Sequence, residues 1–156
     1  MNNLTIIAAV AGKRMALGNK GQLLYHIPED MKRFRDITMG NTIIMGSRTF
    51  NSLPNGPLPG RKNIVLSRFI KEIPGCEVFN NLKRALDFCR AEPSVFIIGG
   101  GLIYTEALPY TNTLLLTEID EEPVEADTFF PNFRNEFRET DRERRDGYSF
   151  VRYVRI

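Results

Sequence analysis

The 156-residue chain contains no tryptophan, only one histidine and only two cysteines, and these shortages exclude several classes of site. Cys76 and Cys89 form no CxxC pair and have no histidine cluster beside them, so neither a disulfide framework nor a zinc site is expected. Both are predicted to be buried thiols. His26, the sole histidine, is interpreted as structural, and no Ser-His-Asp arrangement can be argued around it.

Long hydrophobic runs and a strong charge of one sign are also missing. No apolar run approaches the roughly 20 residues of a membrane span, and residues 4–10 lack the basic flank and the length of a signal core. We therefore expect a cytosolic protein that does not bind a membrane. A net charge of +2 is too small to indicate a nucleic-acid partner. A monomer is expected, since no long apolar stripe lacks a use within the fold.

The composition, 42% hydrophobic and 26% charged, is that of one globular domain over residues 1–156. Apolar, β-branched runs alternate with amphipathic segments, which predicts an α/β fold with a mostly parallel central sheet of about eight strands and helices on both faces. Asp146-Gly147 predicts a turn between two antiparallel C-terminal strands. The predicted strands cover residues 4–10, 42–45, 63–66, 77–79, 94–98, 113–119, 137–142 and 148–156. The predicted helices start near Pro28, Gly46, Leu82 and Leu102, and residues 11–24 are predicted to be a long loop.

Asp30 lies on the apolar side of the helix predicted from Pro28 to Thr38. At about 100° per residue it falls between Phe34 and Ile37, whereas Glu29, Lys32, Arg33, Arg35 and Asp36 share the opposite side. One interpretation is a first-turn acid that favours the positive end of the helix dipole. The alternative is an acid that meets a polar ligand in a cleft, where desolvation would shift its pKa.

Three groups of residues at predicted strand ends could bind anions. Gly99-Gly100-Gly101 follows a strand and precedes a helix, so its backbone could approach a phosphate, although a tight crossing explains it equally. Gly46-Ser47-Arg48-Thr49 and Leu66-Ser67-Arg68 each supply hydroxyls and an arginine. If their strands are neighbours, they would make a pocket for a phosphate monoester such as the 2′-phosphate of NADP.

Arg61 follows the rigid turn at residues 57–60, which would hold its guanidinium ready to clamp a carboxylate. A plain surface arginine is an equally good interpretation of this turn alone.

In this order and spacing, several motifs together make the chain resemble the dihydrofolate reductases of the bacterial chromosomal type over nearly its whole length. The motifs are Ile7-Ala8-Ala9, residues 27–34, residues 43–46, residues 58–63, Ile98-Gly99-Gly100-Gly101 with Tyr104, residues 116–120, and Asp127-Thr128 before Phe130-Pro131. The resemblance implies reduction of 7,8-dihydrofolate by NADPH, and antifolates as possible inhibitors. It also implies that Asp30 is the only ionisable group in the pterin pocket, where it bonds the 2-amino group and N3 and promotes protonation at N5.

The resemblance implies two further sets of residues and one backbone feature. The substrate set is Ile7, Ala9, Tyr25, Asp30, Met31, Phe34, Leu53, Leu58, Arg61, Ile98 and Thr117. The NADPH set is Ala9, Ala16, Leu17, Gly18, Asn19, Gly46, Arg48, Thr49, Leu66, Ser67, Arg68, Ile98, Gly99, Gly100, Gly101, Leu102, Ile103, Tyr104 and Glu106, with the loop extending to Gln22. The family's cis peptide bond is expected between Gly100 and Gly101.

Three positions depart from the family pattern. Leu24-Tyr25 replaces Pro-Trp, which leaves open whether the Tyr25 hydroxyl holds the water that the indole holds in the family. Ser47 replaces an arginine, which puts more weight on Arg48 and Arg68 for the 2′-phosphate. Leu23 replaces a methionine in the catalytic loop. None of these changes removes a group that the chemistry requires.

Two rival functions are open to test. An NADPH-dependent pyrimidinone reductase of riboflavin synthesis would share the sheet and the cofactor but not the pterin-facing acid. In a non-catalytic nucleotide-binding module, Asp30 would be only a first-turn acid.

Overall fold

Buried β-branched strands form the centre of the protein, whose computed structural model describes residues 3–19, 22–23 and 25–156. The strands are β1 (Asn3–Ala11), β2 (Ala16–Asn19), β3 (Gln22–Leu23), β4 (Thr42–Gly46), β5 (Lys62–Leu66), β6 (Cys76–Phe79), β7 (Ser94–Gly99), β8 (Thr113–Ile119), β9 (Thr128–Phe129), β10 (Phe137–Arg144) and β11 (Tyr148–Arg155). The helices are α1 (Pro28–Thr38), α2 (Ser47–Ser52), α3 (Leu82–Phe88) and α4 (Gly101–Ala107), and α4 runs into a 3₁₀ turn at Leu108–Tyr110.

The main path of the sheet has the order β10-β11-β8-β1-β7-β4-β5-β6. In that order, each strand from β8 to β6 is parallel to the next one. The β10–β11 hairpin pairs antiparallel with β8 and forms one edge of the sheet. The predicted fold class is therefore confirmed. Because parallel strands need crossovers, helices cover both faces of this sheet.

Alternating side chains divide the core into two layers. Ile6, Ile44, Ile64 and Ile97 face α3 and α4, whose Ala85 and Tyr104 pack on them. The intervening residues Ile7, Ile43, Met45, Val65 and Phe96 form the other layer. Phe34 and Ile37 of α1 and Phe50 of α2 pack on that second layer, so the helix that carries Asp30 covers this face.

Several predicted boundaries were wrong. The predicted loop at 11–24 contains β2 and β3, and β2 pairs with β1, β3 and β9. These strands were missed because they are only two to four residues long, too short to show a period, and because β9, one partner of β2, lies far from it in sequence. The third helix, predicted from the sequence to run from Leu82 to Ala91, ends at Phe88, and Cys89 is its C-cap. Cys89 is buried as predicted, but Cys76 is only partly buried. Among the described helices, none is long and apolar enough to span a bilayer.

Candidate active site

Asp30 lies in the first turn of α1, and its side chain turns toward the sheet. Pro28 occupies the first helical turn, where a missing N–H costs nothing, so the helix begins two residues before the acid. The Thr117 hydroxyl, on β8, donates a hydrogen bond to Asp30 Oδ1 at 2.5 Å. Thr117 itself is opposite Ala9 in the parallel β1–β8 pair, which places Asp30 at the carboxyl end of the central strands. Among the described residues, no other side chain hydrogen-bonds this carboxylate.

Burial raises the pKa of Asp30, because removal from water disfavours the charged form. The hydrogen bond from Thr117 and the positive charge of Arg33 oppose this by favouring the ionised carboxylate, whereas the neighbouring Glu29 adds to the rise. The cleft interpretation of Asp30 is therefore the one that the geometry favours.

Arg33 does not lie on the solvated side of α1, so that part of the helix-wheel prediction is wrong. Its side chain is partly buried, and its guanidinium carbon lies over the Phe150 ring at 4.4 Å from the centroid. Flat guanidinium groups stack well on aromatic faces, and this attraction draws Arg33 back along the helix toward the sheet. A helical wheel gives only the angular position of a residue, so it could not predict that the Arg33 side chain stacks on Phe150.

An apolar wall lies beside Asp30 on the same face of the sheet. Phe34, Leu53, Leu58 and Ile98 are each partly buried and pack on the cluster that contains Ile7. Met31, in contrast, is 59% exposed. Partly buried apolar side chains next to a carboxylate are typical of a ligand cleft with a polar anchor. The structure thus brings together these predicted substrate residues, with Ala9 two residues from Ile7 on β1.

Tyr104 connects this wall to the glycine triplet. The Tyr104 hydroxyl is buried and donates a hydrogen bond to the carbonyl of Ile7 at 2.9 Å. Burial strongly raises the pKa of Tyr104, and the charge of Asp30 raises it further, so this hydroxyl stays protonated. A Cβ atom at Gly99 would lie 3.6 Å from the Tyr104 hydroxyl. The family resemblance assigned Tyr104 only to the cofactor. Its hydrogen bond to the Ile7 carbonyl places the Tyr104 hydroxyl next to a predicted substrate residue as well.

Arg61 is held in a fixed position, as the rigid turn before it predicts. Its Nε donates to the carbonyl of Pro59 at 3.0 Å, and its Nη1 donates to the Thr38 hydroxyl at 3.2 Å. Arg35 and Arg61 line one shallow groove, together with Met39, Pro59 and Gly60. Partial burial lowers the pKa of Arg61, and the charge of Arg35 lowers it further. Two positive charges in one groove favour an anionic ligand. Arg35 was not predicted as a binding residue, because the helical wheel placed it on the polar side of α1.

The glycine triplet lies where β7 ends beside β4. Gly99 is opposite Met45 in the parallel pair, and Cβ atoms at Gly99 and Gly101 would lie 3.0 Å from Thr49 Oγ1 and 2.6 Å from Thr128 Cγ2. Side chains at these two glycines would therefore displace their neighbours. The cis peptide bond joins Gly99 to Gly100, one residue before the expected bond. Three consecutive glycines contain two equivalent Gly-Gly bonds, which the sequence alone does not distinguish.

The ends of β4 and β5, which precede Arg48 and Arg68, are adjacent in the sheet. The sequence predicted a phosphate site here only if these two strands were neighbours. Gly46 is opposite Leu66 in the parallel β4–β5 pair, so the segments that follow them leave the sheet side by side. Arg48 and Arg68 are exposed, and within the described part of the chain neither forms an ion pair. The Ser67 hydroxyl oxygen accepts hydrogen bonds from the amides of Phe69 and Ile70, so its own proton remains available to an acceptor.

The remaining predicted cofactor residues differ in how far they are buried. Ala16 and Leu66 are buried, Leu17 and Gly18 are partly buried in β2, Ile103 packs on Gly46, and Leu102 and Glu106 are exposed. Asn19 pairs with Gln22 in the β2–β3 ladder. Lys20 and Gly21, within the predicted loop, lie outside the described residues, as does Leu24.

The acidic segment at residues 120–127 anchors the predicted cofactor loop by hydrogen bonds and an ion pair. The Glu122 carboxylate accepts a hydrogen bond from the amide of Lys13 at 2.9 Å and forms an ion pair with Arg14 at 3.7 Å. The amide of Asp127 donates to the carbonyl of Gly18. Glu122 had no recognisable signal, because its partners, the Lys13 amide and the Arg14 guanidinium, lie more than a hundred residues earlier.

Tyr25 is partly buried next to the same acidic segment. Burial raises the pKa of Tyr25, and so do the charge of Glu121 and a hydrogen bond to it. The Tyr25 hydroxyl therefore has a carboxylate partner here, and a role in substrate binding stays a prediction. His26 is exposed.

Comparison with known proteins identifies the family. The family model described as dihydrofolate reductase matches residues 3–155. The chain is 40% identical over 162 residues to the dihydrofolate reductase of Neisseria gonorrhoeae, with 99% of each chain covered. It is 41% identical over 131 residues to that of Bacillus subtilis, which covers 83% of this chain and 76% of the relative. Since a family model spans almost every residue and full-length relatives share two residues in five, the chain belongs to the dihydrofolate reductase family.

Proposed function

We propose that this chain reduces 7,8-dihydrofolate to 5,6,7,8-tetrahydrofolate with NADPH, by hydride transfer to C6 and protonation at N5. The observation that carries the proposal is the partly buried carboxylate of Asp30, fixed by Thr117 beside an apolar wall. A lone acid in such a setting suits a flat heterocycle with a donor edge and an apolar body.

Asp30 would anchor the pterin by accepting hydrogen bonds from its 2-amino group and N3. The bond from Thr117 to Oδ1 fixes the plane of the carboxylate, so two parallel donors on the ligand meet two fixed oxygens. Phe34, Leu53 and Leu58 would enclose the ring and the benzoyl group. The carbonyls of Ile7 and Ile98 would flank the pterin edge.

Asp30 would also promote the proton transfer. Burial raises the pKa of its carboxyl, which brings the group closer to the range useful for general acid chemistry near neutral pH. A negative charge held next to the bound pterin favours the N5-protonated form of that ring, since opposite charges attract strongly in a partly desolvated site.

Arg61 would bind the glutamate carboxylate of the substrate. Its bonds to Pro59 and Thr38 hold the guanidinium before the ligand arrives, which reduces the side-chain entropy lost on binding. Arg35, in the same groove, would add a second positive charge for this end of the substrate.

The donor groups at the ends of β4 and β5 fit NADPH. Two exposed guanidiniums that form no ion pair in the described chain, with the hydroxyls of Thr49 and Ser67 nearby, suit a phosphate monoester. NADPH would lie with its 2′-phosphate at Arg48 and Arg68 and its remaining length along the glycine triplet and β2. When bound, the cofactor supplies the hydride; the protein supplies its position against the pterin.

The two rival functions are not favoured. The family match runs over residues 3–155, and the full-length relatives are dihydrofolate reductases. Asp30 is turned inward onto Thr117, whereas a merely structural first-turn acid has no need of this partner.

The experiment is to mix the purified protein with NADPH and 7,8-dihydrofolate and follow the loss of NADPH absorbance. We expect rapid oxidation that depends on both compounds and stops when either is left out. Oxidation no faster than without protein would refute the proposed function. Turnover of a riboflavin-pathway pyrimidinone in place of dihydrofolate would support the rival reductase.

A further inference from the structure

Arg33 lies three residues after Asp30 on α1, and its side chain stacks on an aromatic ring. Residues three apart on a helix lie on neighbouring positions, with Cβ atoms about 5–6 Å apart. The Arg33 guanidinium carbon stands 4.4 Å from the centre of the Phe150 ring, which is only 3% exposed. A stacking partner this well buried limits the positions available to the arginine.

The ring beneath Arg33 is part of the same structure that fixes Asp30. Phe150 on β11 is directly opposite Thr117 on β8, and Thr117 donates to the Asp30 carboxylate. The stacking contact, the β8–β11 pairing and the Thr117 hydrogen bond thus connect Arg33 to Asp30 through two adjacent strands, and the helix backbone connects them directly. A change in the position of the arginine relative to the acid would require one of these contacts to break.

A second arginine lies near the same ring and is paired with a carboxylate. The Arg145 guanidinium lies 5.4 Å from the centre of the same ring and forms an ion pair with Glu29 at 2.9 Å. Among the described residues, Arg33 forms no salt bridge. The charges of Asp30 and of Glu143 on β10 favour the charged guanidinium, and that of Arg145 opposes it, so Arg33 remains a cation that acts on the neighbouring carboxylate.

The charged and titratable groups around Asp30 come from three elements. Glu29 and Arg33 flank it on α1. The charge of Asp30 also acts on the Tyr104 hydroxyl of α4 and on the Tyr148 hydroxyl of β11, which is bonded to Glu29. Both phenols have a raised pKa and are neutral at ordinary pH. On β8, the residue after Thr117 is Glu118, which bonds Arg142 and Tyr153 instead. Arg33 is thus the cation in this set that acts on Asp30.

We propose that Arg33 is a positioning residue for the reaction, whose guanidinium, held on the Phe150 ring, keeps the Asp30 carboxylate charged and directed at the bound pterin. This inference rests on the proposed function for its kinetic consequence, but its electrostatic part concerns the protein alone. Arg33 does not need to touch the substrate. It acts through Asp30.

The sign of the effect is the same for either proton site. Removal of a nearby positive charge makes protonation of Asp30 easier, and it also makes protonation of the bound pterin at N5 easier. The pH profile of hydride transfer, which falls as the required proton is lost, would therefore move to higher pH. A purely structural arginine would change the maximal rate or the stability without moving the profile.

The test compares the wild-type protein with Arg33→Gln, Arg33→Lys and Lys32→Gln across the pH range. The lysine variant keeps a cation that can lie over Phe150, and Lys32 is an exposed lysine paired with Asp36 on the same helix. For Arg33→Gln we expect single-turnover hydride transfer at about pH 8.5 to become about threefold faster, a profile shift of about half a pH unit. We expect Arg33→Lys to return most of the way to the wild-type profile, and Lys32→Gln to match it.

A second measurement keeps the two proposals separable. The carboxyl ¹³C resonance of Asp30 can be titrated in the protein without ligands, and we expect its midpoint to rise in Arg33→Gln whether or not the protein reduces dihydrofolate. An unchanged midpoint and an unchanged profile in Arg33→Gln would overturn the role of Arg33. So would equal shifts in the glutamine and lysine variants, since the charge would then not be the cause.

Discussion

Glu29 and Asp30 are adjacent carboxylates on one helix, yet their surroundings move their pKa values in opposite directions. Glu29 is exposed, and hydrogen bonds from the Tyr148 hydroxyl at 2.6 Å and the Arg145 guanidinium at 2.9 Å lower its pKa. Burial raises the pKa of Asp30. Two acids separated in this way can have different tasks, and only the second is suited to proton chemistry. Glu29 instead fastens α1 to the C-terminal hairpin.

We predict that Asp30→Asn lowers turnover at neutral pH by at least about 100-fold, the lower end of what a positioned acid or base contributes. The amide keeps an acceptor for the Thr117 hydroxyl but cannot hold a negative charge beside the pterin. The loss should be much smaller at low pH, where the substrate is already protonated in solution, and NADPH binding should be unchanged. Stopped-flow hydride transfer and cofactor fluorescence titration measure the two quantities.

Asp36→Asn is the matched control for this variant, because Asp36 is exposed on the same helix and pairs with Lys32. Thermal unfolding checks that the Asp30 variant folds. A carboxyl whose pKa is raised on folding makes a stabilising contribution that is fully present below its unfolded pKa and is lost as the pH rises through the folded pKa. At about pH 7 the asparagine variant should therefore unfold at no lower temperature than the wild type. Full turnover at neutral pH would show that Asp30 is structural.

At the scale of whole elements, long periodic segments were predictable and short paired ones were not. The start of α1 followed from Pro28, and its apolar face followed from the spacing of Phe34 and Ile37. The β2, β3 and β9 strands could not be predicted, because their hydrogen bonds join residues 16–19 to residues 22–23 and 128–129 without a local pattern. The contacts of Glu122 with Lys13 and Arg14, at the start of the cofactor loop, could not be predicted either. These elements depend on contacts that a single sequence does not display.

One such contact is tested by Gly101→Ala. The new methyl group would lie 2.6 Å from Cγ2 of Thr128, so α4 and β9 would have to separate. We expect this overpacking to lower the free energy of unfolding by about 1–3 kcal/mol and to weaken NADPH binding. Urea unfolding and cofactor titration give both effects.

Thr128→Ser supplies the second half of a double-mutant cycle. It removes the methyl that clashes and keeps the hydroxyl that bonds Asp127. The double variant should recover most of the lost stability, with a coupling energy above about 0.5 kcal/mol. Strictly additive effects would mean that Gly101 is needed for another reason.

At the scale of the whole molecule, the site is assembled by the sheet. Residues 9, 48, 68, 99 and 117 are far apart in sequence, and parallel pairing brings their strand ends to one edge. That general location could be predicted from the alternation of strands and helices. The strand order could not, since β1 is followed in space by β7 and β8 rather than by β4, and so the partner of Asp30 was not derivable from spacing. The family resemblance supplied Thr117, and the structure supplied Arg33 and Phe150.

The adjacency of β4 and β5 leads to the last prediction, a preference for NADPH over NADH. Arg48 and Arg68 follow neighbouring strand ends and form no ion pair within the described chain, so a 2′-phosphate would gain charge-assisted hydrogen bonds from both. Arg48→Gln should lower kcat/KM for NADPH by about tenfold or more, the effect of one such bond, and leave kcat/KM for NADH nearly unchanged. Because Ser47 supplies no charge, the double variant with Arg68→Gln should lose nearly all preference. Arg138→Gln removes an equal charge on β10, at the opposite edge of the sheet, and should leave the ratio of the two kcat/KM values as it is in the wild type. Equal use of NADH and NADPH by the wild-type protein would contradict the assignment of this edge to the 2′-phosphate.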